Sequence, residues 1–406
     1  MNILYIEHYA GSPEMGMEFR PYYLAREWVR MGHNVTIIAG DYSHLRKKNP
    51  SVINDFTPEN IDEIEYVWVK TGEYEGNGMK RALTMERFVR KLWMNAGKIV
   101  RKYRPDVVIA SSTYPLDTYP AQKIAKIAKA KYIHEVHDMW PATLYEVGGM
   151  SRKHPFVVAM QIAEDSAYKH CDKCVSLLPY AKEYMAEHGL RSDKFVNVQN
   201  GVVEEEWETS EKIPAEHQEF FDKHRDEFIV GYFGGHGLSN ALDKALDVAK
   251  NMENDKDLIF VFVGDGVEKP RLVKRAEEEN LCNVFFLTPV SKRAVPDLVS
   301  HFDCSYMTGL PSPLYRFGLC LNKMYDSMMG GLPVVLAFTA PDTPVRQYDC
   351  GYQCDPEDQA SVVEAIRSIK AMSEDERKRM GENGRNAILD KFTYKKLAEQ
   401  FLDSIK

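Results

Sequence analysis

The run Ser312 to Val335, SPLYRFGLCLNKMYDSMMGGLPVV, collects residue types suited to a phosphorylated ligand. Its spacing predicts a turn at Gly318 and Leu319, with backbone N–H groups facing a ligand. A helix then opens at Asn322 and Lys323 and ends at Gly330 and Gly331. A helix N-terminus has orphan N–H groups and partial positive charge, which together can hold a diphosphate. Lys323 in the first turn adds a full charge, and Asp326, one turn on, can accept hydrogen bonds from two ribose hydroxyls. An ordinary surface helix with a solvated Lys–Asp face would show the same residues, so spacing alone leaves both readings open. A second stretch, Phe233-Gly234-Gly235-His236-Gly237, follows an apolar run, a place where a diphosphate can approach bare backbone. His236 and Asn240 are its polar side chains, and Arg316 is a further source of positive charge.

Glu135-Val136-His137-Asp138-Met139-Trp140-Pro141 also follows an apolar run and so falls at the carboxyl edge of a sheet, where α/β proteins build sites. His137 suits chemistry near neutral pH, and Asp138 either orients its ring or caps the next segment. A satisfied histidine at a strand end is the plainer alternative. The loop from His8 to Arg20 lies at the same kind of edge, with Gly11, Glu18 and Arg20 as its candidates. Other signatures fail. No G-x-G-x-x-G follows the first strand, so a dinucleotide site is not expected. Gly11 and Gly16 keep the outer spacing of a P-loop, but Met17 and Glu18 stand where Lys and Ser/Thr are needed. Cys171 and Cys174 form a CxxC with no matching second pair, since Cys350 and Cys354 are spaced differently; buried thiols are expected, not a zinc site.

The elements that must position these residues read as alternating strands and helices. Asn2–Ile6, Val35–Ala39, 106–110, Lys131–Val136, 173–177 and 195–198 are strand candidates in the first half. Residues 229–233, Leu258–Val263, Val284–Leu287, 304–307 and 333–336 follow in the second. Between these lie helices such as 19–31, 241–250, 269–279, 295–300, 323–329 and 361–371. Strands apolar throughout and alternating with helices imply parallel sheets covered on both faces. The acidic stretch 204–226 contains Pro214 and lacks an apolar period until Phe220, so it is expected as a linker between domains 1–203 and 227–393. The amphipathic segment 394–406 is expected to cap the second domain or cross back to the first.

Composition narrows the class. The chain has 406 residues, 44% hydrophobic and 28% charged, which excludes wholesale disorder. No apolar run approaches the roughly 18–20 residues of a membrane-spanning helix. No basic segment precedes the first strand and seven cysteines are no disulfide scaffold, so a cytoplasmic protein is expected. The net charge of −8 is uneven: residues 1–203 carry 27 Lys+Arg against 24 Asp+Glu, the remainder 25 against 36. Within the first half, residues 79–104 hold nine basic residues and one acid, Glu86. That pattern points to a local anionic partner and away from nucleic acid. Met85, Phe88, Leu92, Ala96, Ile99 and Tyr103 recur at helical steps within it. The segment reads either as a core-packing helix with a solvated basic face, or as a helix that attaches to anionic lipid.

The run 312–335 resembles the donor-binding motif of retaining glycosyltransferases of family 4, and within them the bacterial O-antigen and capsule amino-sugar transferases, such as the L-fucosamine transferases. The matching residues are Tyr315, Arg316, Phe317, Gly318, Asn322, Lys323, Asp326, Met328, Gly331, Pro333, Val334 and Val335. The wider family pattern has two glutamates eight positions apart, at Gly318 and Asp326 here. The second acid is kept, as a ribose ligand by resemblance; glycine replaces the first, whose usual contact is the donor sugar. Gly32-His33-Asn34-Val35-Thr36, Gln199-Asn200-Gly201-Val202, Val263-Gly264-Asp265-Gly266 and Gly351-Tyr352-Gln353-Cys354-Asp355-Pro356 resemble further family motifs in the family's order. His137-Asp138 resembles the family's catalytic "HD", whose histidine lies near donor sugar and acceptor. The loop holding Gly11, Glu18 and Arg20 then faces the acceptor.

The resemblance implies an α/β protein of GT-B fold: two Rossmann-like, doubly wound parallel-sheet domains facing a cleft. It implies transfer of a sugar, plausibly an N-acetyl amino sugar, from a nucleotide diphosphate, UDP by expectation, with retained configuration. The acceptor would be a lipid-linked saccharide in surface polysaccharide synthesis, and the basic helix 79–104 would hold the protein to the inner face of the cytoplasmic membrane. No DxD-like acidic pair stands out, so neither metal nor cofactor is expected. Two other readings fit the same fold: a nucleotide-sugar 2-epimerase, which needs no acceptor, and a non-catalytic subunit that binds sugar nucleotides.

Overall fold

The computed structural model describes residues 1–16, 19–76 and 78–406. Each apolar run expected as a strand forms one, with ends shifted by at most one residue. In the first of two units the strands are β1 (Asn2–Ile6), β2 (Asn34–Gly40), β3 (Thr57–Ile61), β4 (Ile64–Val69), β5 (Val107–Ala110), β6 (Lys131–Val136), β7 (Lys173–Ser176) and β8 (Phe195–Asn197). They lie in the order β3-β4-β2-β1-β5-β6-β7-β8. All pairs are parallel except β3 with β4, a hairpin turned by Asp62 and Glu63 at positive φ. The order reverses at β1, with β2 on one side and β5 on the other. Helices α1 (Phe19–Arg30), α2 (Met79–Tyr103), α3 (Thr118–Ala128) and α4 (Pro155–His170) cover this sheet.

The basic segment is α2, and its apolar stripe packs into the unit as the core-packing reading expects. Met85, Phe88, Leu92, Ala96 and Ile99 are buried, while Met79, Trp93 and Met94 are exposed among its basic residues. The thiols of Cys171 and Cys174 are buried and unpaired.

The second unit has β9 (Phe228–Phe233), β10 (Leu258–Val263), β11 (Val284–Leu287), β12 (Cys304–Thr308), β13 (Val334–Ala337) and β14 (Gly351–Cys354). Their order is β11-β10-β9-β12-β13-β14, every pair parallel, and it reverses at β9. β9 and β10 are buried along their whole length, which is why they read as unbroken apolar runs.

The units divide at Gln199 and Asn200, and residues 394–406 belong to the first. The helix Tyr394–Ser404 packs there through Tyr394 against Tyr23 (4.8 Å between rings) and Phe401 against Trp28 (5.1 Å), and Trp28 Nε1 donates to the Ala398 carbonyl. The stretch 204–226, expected as a linker, is instead part of the second unit. It forms helices Glu204–Glu208 and Ala215–Lys223, and Ile213 and Phe221 are buried with Ile229, Val261 and Leu298. Asp297 fixes it by accepting from the Ile213 N–H (2.9 Å) and Lys212 Nζ (2.6 Å). Its apolar anchors are too sparse to show a period in sequence.

Candidate functional site

In an open α/β sheet, ligands collect beyond the carboxyl ends of the strands where the order reverses. In the second unit that point lies between β9 and β12, and Lys323 is the side chain around which its polar groups gather. Lys323 is the second residue of the helix Asn322–Met329. Its Nζ donates to Tyr232 Oη (2.7 Å) and Asn240 Oδ1 (2.8 Å) and lies 4.5 Å from the centre of the Tyr232 ring. Tyr232 Oη donates onward to the Gly235 carbonyl at 2.7 Å. Gly234 and Gly235 are themselves exposed, and a Cβ on Gly234 would sit 3.0 Å from Lys323 Cδ. Burial pushes the Lys323 ammonium down to about 8. Both of these partners are neutral oxygens, so an anion at the glycine turn supplies the countercharge the ammonium lacks.

The turn is held from behind by a second glycine pair. A Cβ on Gly264 would lie 1.9 Å from the Gly234 carbonyl oxygen, so these two loops touch backbone to backbone. His236, expected beside the ligand, is placed otherwise. Its ring is fully buried, 5.9 Å from Tyr232 and 6.0 Å from Phe286. Burial first, then the charge of Lys269, pushes its pKa down to about 4. Its backbone ties the loops, the N–H donating to the Asp265 carbonyl and the carbonyl accepting from the Glu268 N–H. His236 thus shapes the turn from inside.

Around Asn322–Met329 the other expected residues take different places. Asp326 is 5% exposed, and Lys292 Nζ donates to both of its oxygens, at 2.8 and 2.7 Å. A carboxylate offers about four lone-pair positions, so room for hydroxyl donors remains. Asn322 is exposed and accepts from Asn200 Nδ2 at 3.1 Å. Gly318 has φ +102°, a conformation that favours glycine and strains any other residue. Its N–H already donates to the Tyr315 carbonyl at 2.9 Å. Phe317 and Leu319 are buried. Arg316 is exposed, stacked 4.2 Å from the Phe317 ring centre and donating to the Pro313 carbonyl.

In the first unit, Glu135 is on β6 and His137 follows directly after the strand's end, which brings the two side chains together. Glu135 is fully buried. Its Oε1 accepts from Arg20 Nε (3.0 Å) and Nη2 (2.9 Å), and its Oε2 from Ser111 Oγ (2.6 Å) and from Tyr5 Oη. Burial opposes its charge, but Arg20, together with His137 and Ser111, holds its pKa well below the usual carboxylate range. His137 is partly exposed, with Nε2 2.8 Å from Ser111 Oγ and 3.3 Å from Glu135 Oε2. Because the Ser111 hydroxyl donates to the carboxylate, it accepts from His137, which fixes the proton on Nε2 and leaves Nδ1 as the acceptor of the neutral ring.

Two acceptor-side expectations change here. Arg20 is buried: besides Glu135 it donates to the carbonyls of Gln199 (2.6 Å) and Val198 (2.9 Å), so it supports the site from beneath. Gly11 is buried, its carbonyl accepting from Tyr66 Oη at 2.7 Å. Glu18 lies outside the described residues. Asp138 is exposed, and the ring of His137 takes its orientation from Ser111 and Glu135. Nearby, Asp117 is fully buried, accepts from the Ser112 N–H at 2.9 Å, and is pushed up to about 7 by burial.

With this geometry in place, likeness to known proteins decides the family. Residues 15–201 match the family model described as "Glycosyl transferase 4-like domain", and residues 215–387 the one described as "Glycosyl transferases group 1". The chain belongs to the GT-B glycosyltransferases. The "Putative colanic acid biosynthesis glycosyl transferase WcaI" of Escherichia coli (strain K12) is 36% identical over 76 residues, which span 19% of this chain and 18% of that protein. The solved structure of sucrose-phosphate synthase from Thermosynechococcus elongatus superposes with a TM-score of 0.75 at 16% identity, covering 99% of this chain and 98% of the other. Anabaena HepE in complex with UDP gives 0.66 at 14% identity, covering 100% and 99%. At those identities the likeness is one of fold.

This glycosyltransferase also contains site residues that its sequence does not announce. Tyr232 stands within an apolar run and Lys292 in a short Ser-Lys-Arg turn after one, with nothing local to mark either as a partner of the site. Ser111 and Glu135 are equally plain, although the two-residue step from Glu135 to His137 is a signal that strand periodicity offers. Among the described residues, Glu164, Asp165 and His188 have metal-like spacing, but Gln161 and His188 already hydrogen-bond these carboxylates.

Proposed function

We propose that this chain transfers a sugar, an N-acetylated amino sugar, from a UDP-linked donor to a lipid-linked saccharide in bacterial surface polysaccharide synthesis, with retention of configuration and without metal or cofactor. The observation that carries this reading is the Lys323 ammonium, buried among neutral oxygens beside an exposed glycine turn at the sheet's reversal point. The HepE structure of similar fold holds UDP, and the name of WcaI refers to colanic acid biosynthesis, both in keeping with it.

In this reading the diphosphate lies on Gly234, Gly235 and the start of the helix Asn322–Met329, with Lys323 as its cation. Asp326 takes the ribose hydroxyls, held in place by the two hydrogen bonds from Lys292. The bond from the anomeric carbon to the phosphate oxygen breaks as charge grows on the leaving diphosphate, which Lys323 and fixed N–H groups stabilise. The acceptor hydroxyl adds from the same face and its proton passes to the leaving phosphate. His137, with its tautomer set by Ser111 and exposed Asp138 alongside, is the first unit's group for the acceptor sugar. The basic face of α2, with Trp93 and Met94 exposed, attaches the protein to anionic lipid at the inner leaflet of the cytoplasmic membrane. No described helix is long and apolar enough to cross a membrane.

The test is a thermal-shift series with nucleotide diphosphates and their sugars. Ligand at about 100 times its Kd adds about 2.7 kcal/mol of stability, so UDP and the right UDP-sugar stand out. Asp326→Ala removes the response; a variant that still responds in full overturns the donor assignment.

A further inference from the structure

A groove of about 760 Å³ opens on the first unit between the start of α2 and residues 140–156. That size is typical of small-ligand sites. Met79, Ala82, Trp140, Leu144, Val147 and Phe156 are among its walls, and no described lining residue is acidic. Its floor is continuous with a buried aromatic cluster: Trp140, Leu144 and Phe156 pack against Tyr9, Tyr114 and Met160. Its rim leaves apolar surface in water, with Met79 78% and Val147 57% exposed. Single exposed apolar residues are commonplace, but two on the rim of one apolar groove form a patch with a use.

Charge marks which end is polar. The first turn of α2 has no acid and carries Lys80 and Arg81. Arg81 lines the groove, fixed by its Nε donating to Tyr9 Oη (3.2 Å) and by its guanidinium 5.1 Å from the Tyr9 ring centre. Trp140, on the wall, is three residues beyond His137. An occupant therefore needs a slender hydrocarbon body and an anionic head. A peptide would leave its backbone N–H and C=O groups unmatched against such walls.

We infer that this groove seats the hydrocarbon chain nearest the head of a lipid phosphate, with the phosphate at Arg81. The inference rests on the lipid-linked acceptor reading above and adds where the lipid lies: within the protein, in a groove walled by Trp140, three residues from His137, and not only at the membrane surface beside α2.

The experiment titrates the whole protein with farnesyl phosphate below its micellar concentration, with farnesol and with inorganic phosphate, by calorimetry. Farnesyl phosphate saturates one site, and inorganic phosphate binds at least about a hundredfold more weakly because it fills no apolar groove. Ala82→Trp, which fills the groove, and Val147→Asp, which places an unpaired carboxylate at its rim, each weaken farnesyl phosphate at least about tenfold. Both keep the wild-type circular dichroism and the wild-type calorimetric melting of the first unit, to which both positions belong, which shows that the unit holding the groove folds. Equal binding of inorganic phosphate, or variants within twofold of wild type, overturns the groove and leaves simple surface adsorption. The acceptor reading is judged separately, by incorporation of labelled sugar from the donor into lipid extracted from bacterial membranes. Labelling by wild type and Ala82→Trp alike rejects the groove alone; saturable farnesyl phosphate binding without any labelling rejects the acceptor reading alone.

Discussion

Lys323 titrates where an enzyme works. Its ammonium is charged below about pH 8 and neutral above, because burial disfavours the charge. A diphosphate drawn by that charge binds more weakly as pH rises through about 8, so KM for the donor rises there. The bound anion lifts the pKa, so kcat holds to higher pH. Stability moves the opposite way. The folded pKa is below the ordinary 10.5, so the unfolded chain binds more protons between about 8 and 10.5, and the ligand-free protein gains stability across that window. Lys323→Met should abolish that gain, about 3 kcal/mol by urea unfolding, and weaken UDP by about 10- to 100-fold. An unchanged UDP affinity would remove Lys323 from the site. At this scale the sequence exposes residue types but not partners. Lys323, Asn240 and Asp326 were visible, whereas Tyr232, Lys292, Ser111 and Glu135 acquire their meaning from pairings across 91, 34, 26 and 115 residues of chain. The same lack of partners made Arg20 an acceptor-facing candidate, though it is buried against Glu135.

Elements set those pairings through loop-to-loop contact, and the one that bears on the glycine turn is between Gly264 and Gly234. A methyl group at 264 would start 1.9 Å from the Gly234 carbonyl oxygen, and only movement of the turn that carries Gly234 and Gly235 relieves it. Gly264→Ala should therefore cost about 2 kcal/mol in thermal unfolding and also weaken UDP at least about tenfold, since Lys323 loses its facing backbone. A loss of stability with UDP affinity intact would show that the turn does not carry the diphosphate. Strands buried on both faces were legible because their whole length is apolar. The hairpin β3–β4 was not, because β3 is a half-exposed edge strand, TPENI, with a proline. The helix Glu374–Lys391 was missed for a related reason: it buries a narrow stripe around Gly381, Gly384, Ala387 and Ile388, although its capping box, Ser373 with Glu376, was present to be read.

Across the whole molecule the chain crosses between units twice, at Gln199–Asn200 and at Thr393–Tyr394, so its last helix stabilises the unit that its first residues build. Amphipathic spacing in 394–406 showed that one side is buried but could not show against what; that depended on Trp28 and Tyr23, more than 360 residues away. Phe401 is fully buried against Trp28, and Phe401→Ala should cost about 3–5 kcal/mol. That loss belongs to the first unit, whereas Lys323, Asp326 and Gly264 belong to the second. Calorimetry of Phe401→Ala with and without UDP separates the two. The variant should melt earlier than wild type, yet UDP should still raise the unfolding temperature of the second unit by the wild-type amount, because the nucleotide binds no residue of the first. Loss of the UDP response in this variant would mean that the donor needs groups from the first unit, and the division of labour proposed for the two sheets would fail.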